Sequence, residues 1–141
     1  MAASPLGFLF ERFEEVPDRK ATVLGGAESS YAELLAGIKA WKERLASAGL
    51  RAGSVVLLQG DFTADSSACL LALLDERAIV IPVATASLEK VQEFAEVGEA
   101  EFVIDLLDGT TLMQTDTEAS HEHYGTLRSQ QSPGIVLFSS G

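Results

Sequence analysis

Three short apolar runs constrain the fold of this chain more than any other feature of its sequence. They occupy residues 54–58, 79–83 and 101–105, and their apolar residues do not alternate with polar ones. Such runs are typical of strands that are covered on both faces of a parallel sheet. Segments with helical spacing, residues 61–77 and 87–97, separate them. The sequence therefore predicts a parallel, Rossmann-like βαβαβ unit of the α/β class with right-handed crossovers.

The clearest predicted helix precedes these strands. Apolar residues from Tyr31 to Ala48 recur at steps of three and four, which is the spacing of one helix face. Ser30 and Glu33 have the spacing of a capping box, and Gly49 can adopt the left-handed turn that ends a helix. Both ends of this helix are thus predicted from local chemistry.

The remaining elements follow from shorter patterns. We expect a first helix over residues 5–15, a strand at 22–24 that enters a Gly-Gly turn, and an edge strand over 110–115. Residues 118–132 are polar and predict a loop, whereas residues 135–138 predict a last strand. Ser87 is expected to open a helix whose inner side carries four apolar residues: Leu88, Val91, Phe94 and Ala95.

Charge and hydropathy exclude several classes of function. The 141 residues hold 10 Lys and Arg against 21 Asp and Glu, so the formal net charge is −11. This charge repels phosphate backbones, and the basic residues are scattered along the chain, so no nucleic-acid partner is expected. No apolar run approaches the length of a membrane span, and no secretory signal is evident. A cytoplasmic location is the expectation.

Few side chains suggest a catalytic or ligand-binding role. Cys69 lies in an apolar run and is expected to be a buried structural thiol. His121 and His123 are two residues apart in a polar stretch, and we interpret them as part of a solvated loop without metal. Asp61 and Asp105 follow predicted strands, where paired carboxylates could bind Mg²⁺; Asp61, or Thr63, serves equally well as a helix cap.

The last predicted strand runs into Ser139, Ser140 and Gly141. Hydroxyls and glycine amides in such a turn can cradle a polyphosphate, because glycine lets the backbone approach closely. A plain turn is the alternative interpretation of the same residues. No Gly-x-Gly-x-x-Gly fingerprint follows any predicted strand.

Four segments, in order, resemble the beginning of the adenylate-forming (AMP-binding) superfamily, which includes acyl-CoA synthetases and nonribosomal peptide adenylation domains. Residues 30–34 resemble its early Ser/Thr-Tyr-x-Glu-Leu motif, and residues 49–56 resemble the turn and strand that follow. Residues 70–83 resemble a helix and a strand that ends in proline. Residues 135–141 resemble the strand and the first half of a Ser-Ser-Gly-Thr-Thr-Gly-type loop.

The resemblance implies that residues 1–141 are an incomplete N-terminal subdomain of an AMP-binding domain, truncated inside its phosphate loop. It implies a parent ligase that joins a small-molecule carboxylic acid to ATP, with Mg²⁺, and then transfers the acyl group to a thiol such as CoA. By this analogy Ser139, Ser140 and Gly141 bind the β- and γ-phosphates. The catalytic lysine and the adenine-binding segments of the family are missing, so this chain alone is expected to be inactive.

The sequence departs from the family at residues 75–78, which read Asp-Glu-Arg-Ala where many members have Lys-Ala-Gly-Ala. We expect a parent of the acyl-CoA or fatty-acid ligase type. A nonribosomal peptide adenylation domain is one alternative, and a non-catalytic α/β interaction module is another. An unpaired strand edge is expected to make the chain self-associate.

Overall fold

The computed structural model describes residues 3–84 and 86–138. Its elements, in chain order, are α1 (Gly7–Glu15), β1 (Lys20–Leu24), β2 (Ala27–Ser30), α2 (Tyr31–Ser47), β3 (Val55–Gln59), α3 (Ala64–Asp75), β4 (Ile79–Val83), α4 (Leu88–Val97), β5 (Phe102–Asp105), β6 (Thr111–Gln114), α5 (Glu122–Gln130) and β7 (Gly134–Ile135).

A five-stranded sheet with the order β6-β5-β3-β4-β7 forms the centre of the fold. Strand β3 pairs in parallel with both β4 and β5, and β7 pairs in parallel with β4. Strand β6 is antiparallel to β5 and forms one edge. The parallel βαβαβ arrangement predicted from the sequence is therefore confirmed, and the predicted edge strand over residues 110–115 is β6.

Strand β3 shows why these apolar runs do not alternate. All five of its residues are buried, and their side chains point alternately to the two faces of the sheet. Val56 and Leu58 belong to a first core, which packs beneath α1, α2 and α3. Val55 and Leu57 belong to a second core, which packs beneath α4 and α5. Since helices cover both faces, every position of the strand favours an apolar residue.

Helix α2 confirms the capping prediction. The Ser30 side chain accepts a hydrogen bond from the Glu33 amide, and the Glu33 side chain accepts one from the Ser30 amide. At the other end, Gly49 has a φ of +89°, and the Leu50 amide donates to the Leu45 carbonyl over 3.1 Å. These are the bonds of a Schellman motif, so the turn ends where the glycine allows it.

One prediction about local structure is wrong, and one open choice between two helix caps is decided. Residues 118–132 are not a loop throughout, because α5 (Glu122–Gln130) lies within them. Its sequence lacks a continuous apolar face, and tertiary contacts hold it: the buried Tyr124 hydroxyl donates to the Gly98 carbonyl over 2.7 Å. Asp61 does not cap α3. The Thr63 side chain does so, by accepting the Ser66 amide over 3.0 Å.

Smaller differences concern three other segments. The predicted strand at 22–24 is one arm of a hairpin, β1–β2, whose turn residues Gly25 and Gly26 both have positive φ, as a type I′ turn requires. Leu88 is 75% exposed because it starts α4 and lies beyond the part that packs on the second core. Strand β7 has two residues, and residues 136–138 continue beyond it without strand geometry.

Candidate functional site

The parallel strands β3, β4, β5 and β7 all end at the same edge of the sheet, here called the carboxyl edge. Gln59 at the end of β3 lies beside Val83 of β4 and Asp105 of β5. Backbone bonds continue past these residues, since the Gly60 amide donates to the Val83 carbonyl over 3.0 Å. Ligands of open α/β sheets bind outside the carboxyl ends of the strands. The carboxyl edge is therefore the candidate site.

A cavity of about 390 Å³ opens at this edge, between the ends of β3 and β4 and the start of α3. Its walls are mainly apolar, with a few polar groups, and are formed by Leu58, Gly60, Asp61, Phe62, Ser66, Ser67, Leu70, Pro82, Val83 and Ala84. The Ser67 hydroxyl donates to the Thr63 carbonyl over 2.9 Å, so it is engaged in the first turn of α3. The cavity thus favours apolar groups.

Gln59 lies in the chain between Leu58 and Gly60, two residues that line this cavity. Its side chain is buried, and its Nε2 donates to the Ala86 carbonyl over 3.2 Å. This bond ties the end of β3 to the segment that enters α4. Gln59 was not predicted as a functional residue, although a lone polar residue that ends an apolar strand is an available signal in the sequence. A buried amide without a partner would be costly.

The two carboxylates at strand ends, Asp61 and Asp105, each accept a hydrogen bond within their own turn. Asp61 accepts the Phe62 amide over 2.8 Å, and Asp105 accepts the Leu107 amide over 2.9 Å. Within residues 3–84 and 86–138, no group of three or more His, Cys, Asp or Glu side chains is arranged to hold a metal ion. The geometry of these two residues is that of local capping.

His121 and His123 lie at the start of α5. His121 precedes the first residue of the helix, and its Nδ1 accepts the His123 amide over 3.2 Å. Both side chains are exposed, as predicted, but in a helix terminus where a loop was expected. His121 therefore acts as a helix cap.

Ser139, Ser140 and Gly141, the predicted phosphate-binding residues, lie outside the described residues. The chain that leads to them is described. The Val136 amide donates to the Val80 carbonyl over 2.8 Å, and Phe138 stacks on Phe94 of α4 with ring centroids 4.6 Å apart. Residues 134–138 thus run beside β4 towards the carboxyl edge.

A second, polar cavity of about 430 Å³ lies at the opposite edge, before β3 and β5. Arg128 of α5 lines it and donates to the carbonyls of Gly53 and Ala119 over 3.0 and 2.8 Å. Its guanidinium is 3.4 Å from Glu101, whose carboxylate also accepts the Val55 amide over 2.9 Å. These groups meet one another's hydrogen-bonding needs, and together they hold α5 against the sheet. The sequence analysis missed this role, because the partners are up to 75 residues apart.

Cys69 is buried in the first core, as predicted. Burial, with a smaller contribution from the Asp65 carboxylate, raises the pKa of its thiol to about 12. A neutral thiol in this position is a weak nucleophile. Among the described residues, no helix is both long and apolar enough to cross a membrane.

Comparison of the sequence with protein-family models and with curated proteins finds no match. Solved structures do match. The Klebsiella oxytoca NpsA N-terminal subdomain, in complex with 3-hydroxyanthranilyl-AMSN, superposes with a TM-score of 0.71 at 21% identity, over 95% of this chain and 36% of that one. An artificially fused adenylation-PCP di-domain NRPS from the same organism, NpsA-ThdA, has a TM-score of 0.69 at 20% identity, over 94% and 28%.

The fold is that of an adenylation-domain N-terminal subdomain. A third structure, CmiS6, agrees with a TM-score of 0.62 at 20% identity, over 81% of this chain and 32% of its own. The resemblance to the adenylate-forming superfamily that the sequence indicates is thus confirmed at the level of the fold. This chain spans about a third of the length of these adenylation structures.

Proposed function

We propose that this chain forms the first part of an acid-activating adenylation protein. In the proposed reaction a carboxylate attacks the α-phosphate of ATP, which releases pyrophosphate and leaves an acyl-adenylate, and a thiol then displaces AMP. The observation that carries the proposal is the fold, which this chain shares with the NpsA N-terminal subdomain over 95% of its length. Because one fold can host many reactions, an activity assay is the test of this assignment.

We infer the type of adenylation protein from the same structural neighbours. The sequence-based expectation was a parent of the acyl-CoA or fatty-acid ligase type. The structural relatives favour the alternative, because they include a nonribosomal peptide adenylation protein fused to a PCP domain. NpsA has been solved with 3-hydroxyanthranilyl, anthranilyl and 3-hydroxybenzoyl groups joined to AMSN. We therefore propose an aryl or amino acid as substrate and a carrier-protein thiol, in place of CoA, as acceptor.

The proposed role of this chain is to deliver the phosphate-binding turn. Strand β7 runs parallel to β4, and the Phe94–Phe138 stack lies one residue before Ser139. Hydroxyl and amide donors of Ser139, Ser140 and Gly141 would hold the polyphosphate of Mg-ATP while negative charge develops on it. We propose that the groups that bind adenine and complete the site belong to further polypeptide. We also propose that the protein acts in the cytoplasm.

The test is carboxylate-dependent exchange of labelled pyrophosphate into ATP by the full-length gene product, across a panel of aryl, amino and fatty acids. Exchange with an aryl or amino acid, and none by residues 1–141 alone, is the expected result. A Ser139→Ala, Ser140→Ala double variant should lower exchange by about 10-fold or more if both hydroxyls bind the phosphates. Ser47→Ala, an exposed serine of α2, is the matched control and should leave the rate unchanged.

Absence of pyrophosphate exchange with every acid would contradict the proposed adenylation function and favour an α/β binding module. Exchange with fatty acids alone, followed by thioester formation on CoA, would instead return the assignment to the acyl-CoA ligase type.

A further inference from the structure

Helices α3 and α4 end in the same type of turn as α2, but the left-handed residue of each turn is not glycine. The amides of Arg77 and Ala78 donate to carbonyls in the last turn of α3 over 3.1 and 3.0 Å, which is the bonding of a Schellman motif. Arg77 has a φ of +61°, and Glu99, in the equivalent turn after α4, has a φ of +57°. Glycine is preferred at this position, since a Cβ is unfavourable in the left-handed conformation. Both turns therefore keep a charged side chain at an energetic cost.

The two charged side chains bind α5 at its opposite ends. The Glu99 carboxylate accepts the amide of Ser120, two residues before the helix begins, over 2.9 Å. Arg77 Nε donates to the carbonyl of Gln131, the residue that caps the other end of α5, over 3.0 Å. A negative charge near the start of a helix and a positive charge near its end match the helix dipole. Arg77 and Glu99, here called the clamp, thus hold α5 with favourable charge at each end.

Helix α5 depends on polar contacts of this kind because it buries little apolar surface. Of its nine residues, one is buried, Tyr124. Tyr124 and Arg128 bind neighbouring carbonyls from within the helix, and the clamp adds a contact beyond each of its ends. Residues in sparsely populated backbone conformations cluster where a protein makes use of them. The contacts with α5 explain why these two turns carry charged residues in place of glycine.

The clamp also lies next to β7. Arg77 binds the carbonyl of residue 131, and the carbonyl of the following residue, Ala78, accepts the Gly134 amide over 3.2 Å. Arg77 donates in addition to the carbonyl of Ala3, in the N-terminal segment. The turn before β4 therefore holds the end of α5 and the start of β7 at two adjacent points. Because a slip of one residue would turn every side chain of a strand to the opposite face, two adjacent bonds are well placed to fix the register of β7.

We propose that Arg77 and Glu99 are positioning residues, which clamp α5 at both ends and thereby set the register of β7 and the place of the turn that follows it. The last part rests on the function proposed above, because that turn contains Ser139, Ser140 and Gly141. In this role the two side chains touch neither ATP nor the acid. They act through α5 and β7 on the segment that would bind the phosphates.

Substitution by glycine separates the clamp from the turns that carry it. Arg77→Gly and Glu99→Gly remove the side chains, but glycine suits the left-handed backbone, so both helix ends are preserved. In the full-length gene product, we expect hydrogen exchange at the amides of Gly134 and Val136 to become about 10-fold faster, or more, in either variant. Exchange at the Leu57 amide of β3 should change by less than about 2-fold, since β3 lies in the centre of the sheet.

Gln131→Gly is the matched control for a glycine in a left-handed turn. Gln131 has a φ of +53°, and the substitution retains the backbone carbonyl that Arg77 binds. It should leave exchange at Gly134 and Val136 within about 2-fold. Unchanged exchange at these two amides in Arg77→Gly and Glu99→Gly would overturn the proposal. Equal acceleration in β3 and at Gly134 would also overturn it, because the residues would then stabilise the whole fold and not α5 and β7 in particular.

The dependence of pyrophosphate exchange on ATP concentration tests the positioning of the turn. Arg77→Gly should raise the KM for ATP by about 5-fold or more with a smaller change in kcat, because a displaced turn binds the polyphosphate less well. Arg77→Lys should restore part of this loss, since lysine keeps a donor but lacks the planar fork of arginine. A purely structural role would reduce the amount of active protein and leave KM unchanged, and an unchanged KM would therefore overturn this part of the proposal.

Hydrogen exchange reports the clamp whether or not the protein adenylates an acid. Faster exchange at Gly134 in the glycine variants of a protein that adenylates no acid would support the clamp and contradict the proposed function. Unchanged exchange at Gly134 in variants of an active enzyme would contradict the clamp alone.

Discussion

Asp75 shows how a single buried carboxylate joins distant parts of the chain. It ends α3, and its side chain is 2% exposed. It accepts hydrogen bonds from Ser4, from the Leu6 amide and from Lys42 of α2. Burial opposes ionisation, but the hydrogen bonds from Lys42, Ser4 and Leu6 outweigh it and hold the pKa of Asp75 below its usual value.

The depressed pKa of Asp75 predicts a dependence of stability on pH. Because the folded pKa lies below the unfolded value of about 3.9, the ionised carboxylate stabilises the fold above that pH, and this stabilisation is lost as the pH falls through the folded pKa. Asp75→Asn should lower the free energy of unfolding by about 2 kcal/mol at pH 7. The deficit should shrink below about pH 4.

Urea unfolding at pH 7 and at pH 3 measures this difference. Asp108→Asn is the control, since Asp108 is exposed, and it should be nearly neutral at both pH values. A deficit for Asp75→Asn that is the same at the two pH values would contradict the assignment.

At the scale of elements, the start of α3 offers two residues that can both cap a helix, and Asp is the stronger capping type of the two. Thr63 Oγ1 accepts the Ser66 amide over 3.0 Å, whereas Asp61 accepts the amide of its neighbour Phe62 in an exposed turn. Thr63→Ala should therefore cost about 1 kcal/mol of stability. Asp61→Ala should change stability by less than about 0.5 kcal/mol, as most surface substitutions do.

Thermal or urea unfolding of the two variants, with Thr63→Ser as a conservative partner that keeps the cap, gives the comparison. A larger loss for Asp61→Ala than for Thr63→Ala would contradict the assignment of the cap to Thr63.

Helix α5 marks the limit of local prediction at this scale. Of its nine residues, Tyr124 alone is buried, so no apolar face indicates a helix in the sequence. Its contacts are with Gly98, Glu101 and Gly53, which belong to other elements or to the turns between them. Helix α2, by contrast, has an apolar face and signals at both ends, and its predicted course is confirmed.

At the scale of the whole molecule, Cys69 reports global unfolding. It is fully buried in the first core, and its thiol has a pKa of about 12. A thiol reagent at pH 8 should therefore label Cys69 only in molecules that have opened this core. The free energy of opening from labelling rates should equal the free energy of unfolding from denaturant titration.

A Cys69→Ala variant that carries Ser47→Cys is the control, since residue 47 is exposed on α2 and should react rapidly in the native protein. Labelling of Cys69 with a much smaller opening energy than that of global unfolding would show that α2 or α3 detaches on its own.

The candidate site was predicted in part. The carboxyl edge of the sheet follows from the order of strands and helices, and the parallel pairing of β7 with β4 agrees with the predicted parallel sheet. The apolar cavity and the role of Gln59 did not follow, because they depend on which loops meet across β3 and β4. The phosphate-binding role of Ser139, Ser140 and Gly141 remains a prediction.

The class of the fold and the two ends of α2 follow from the sequence alone. The residues that indicate these features lie close together in the chain: the apolar run of β3, the helical spacing of α2 and the Ser30–Glu33 cap. Local chemistry therefore specifies these features. Tertiary contacts determine the central place of β3, the existence of α5 and the exposure of Ile135 and Leu137. Each of these depends on contacts between segments far apart in sequence, and no local pattern of residues encodes which distant group will be their partner.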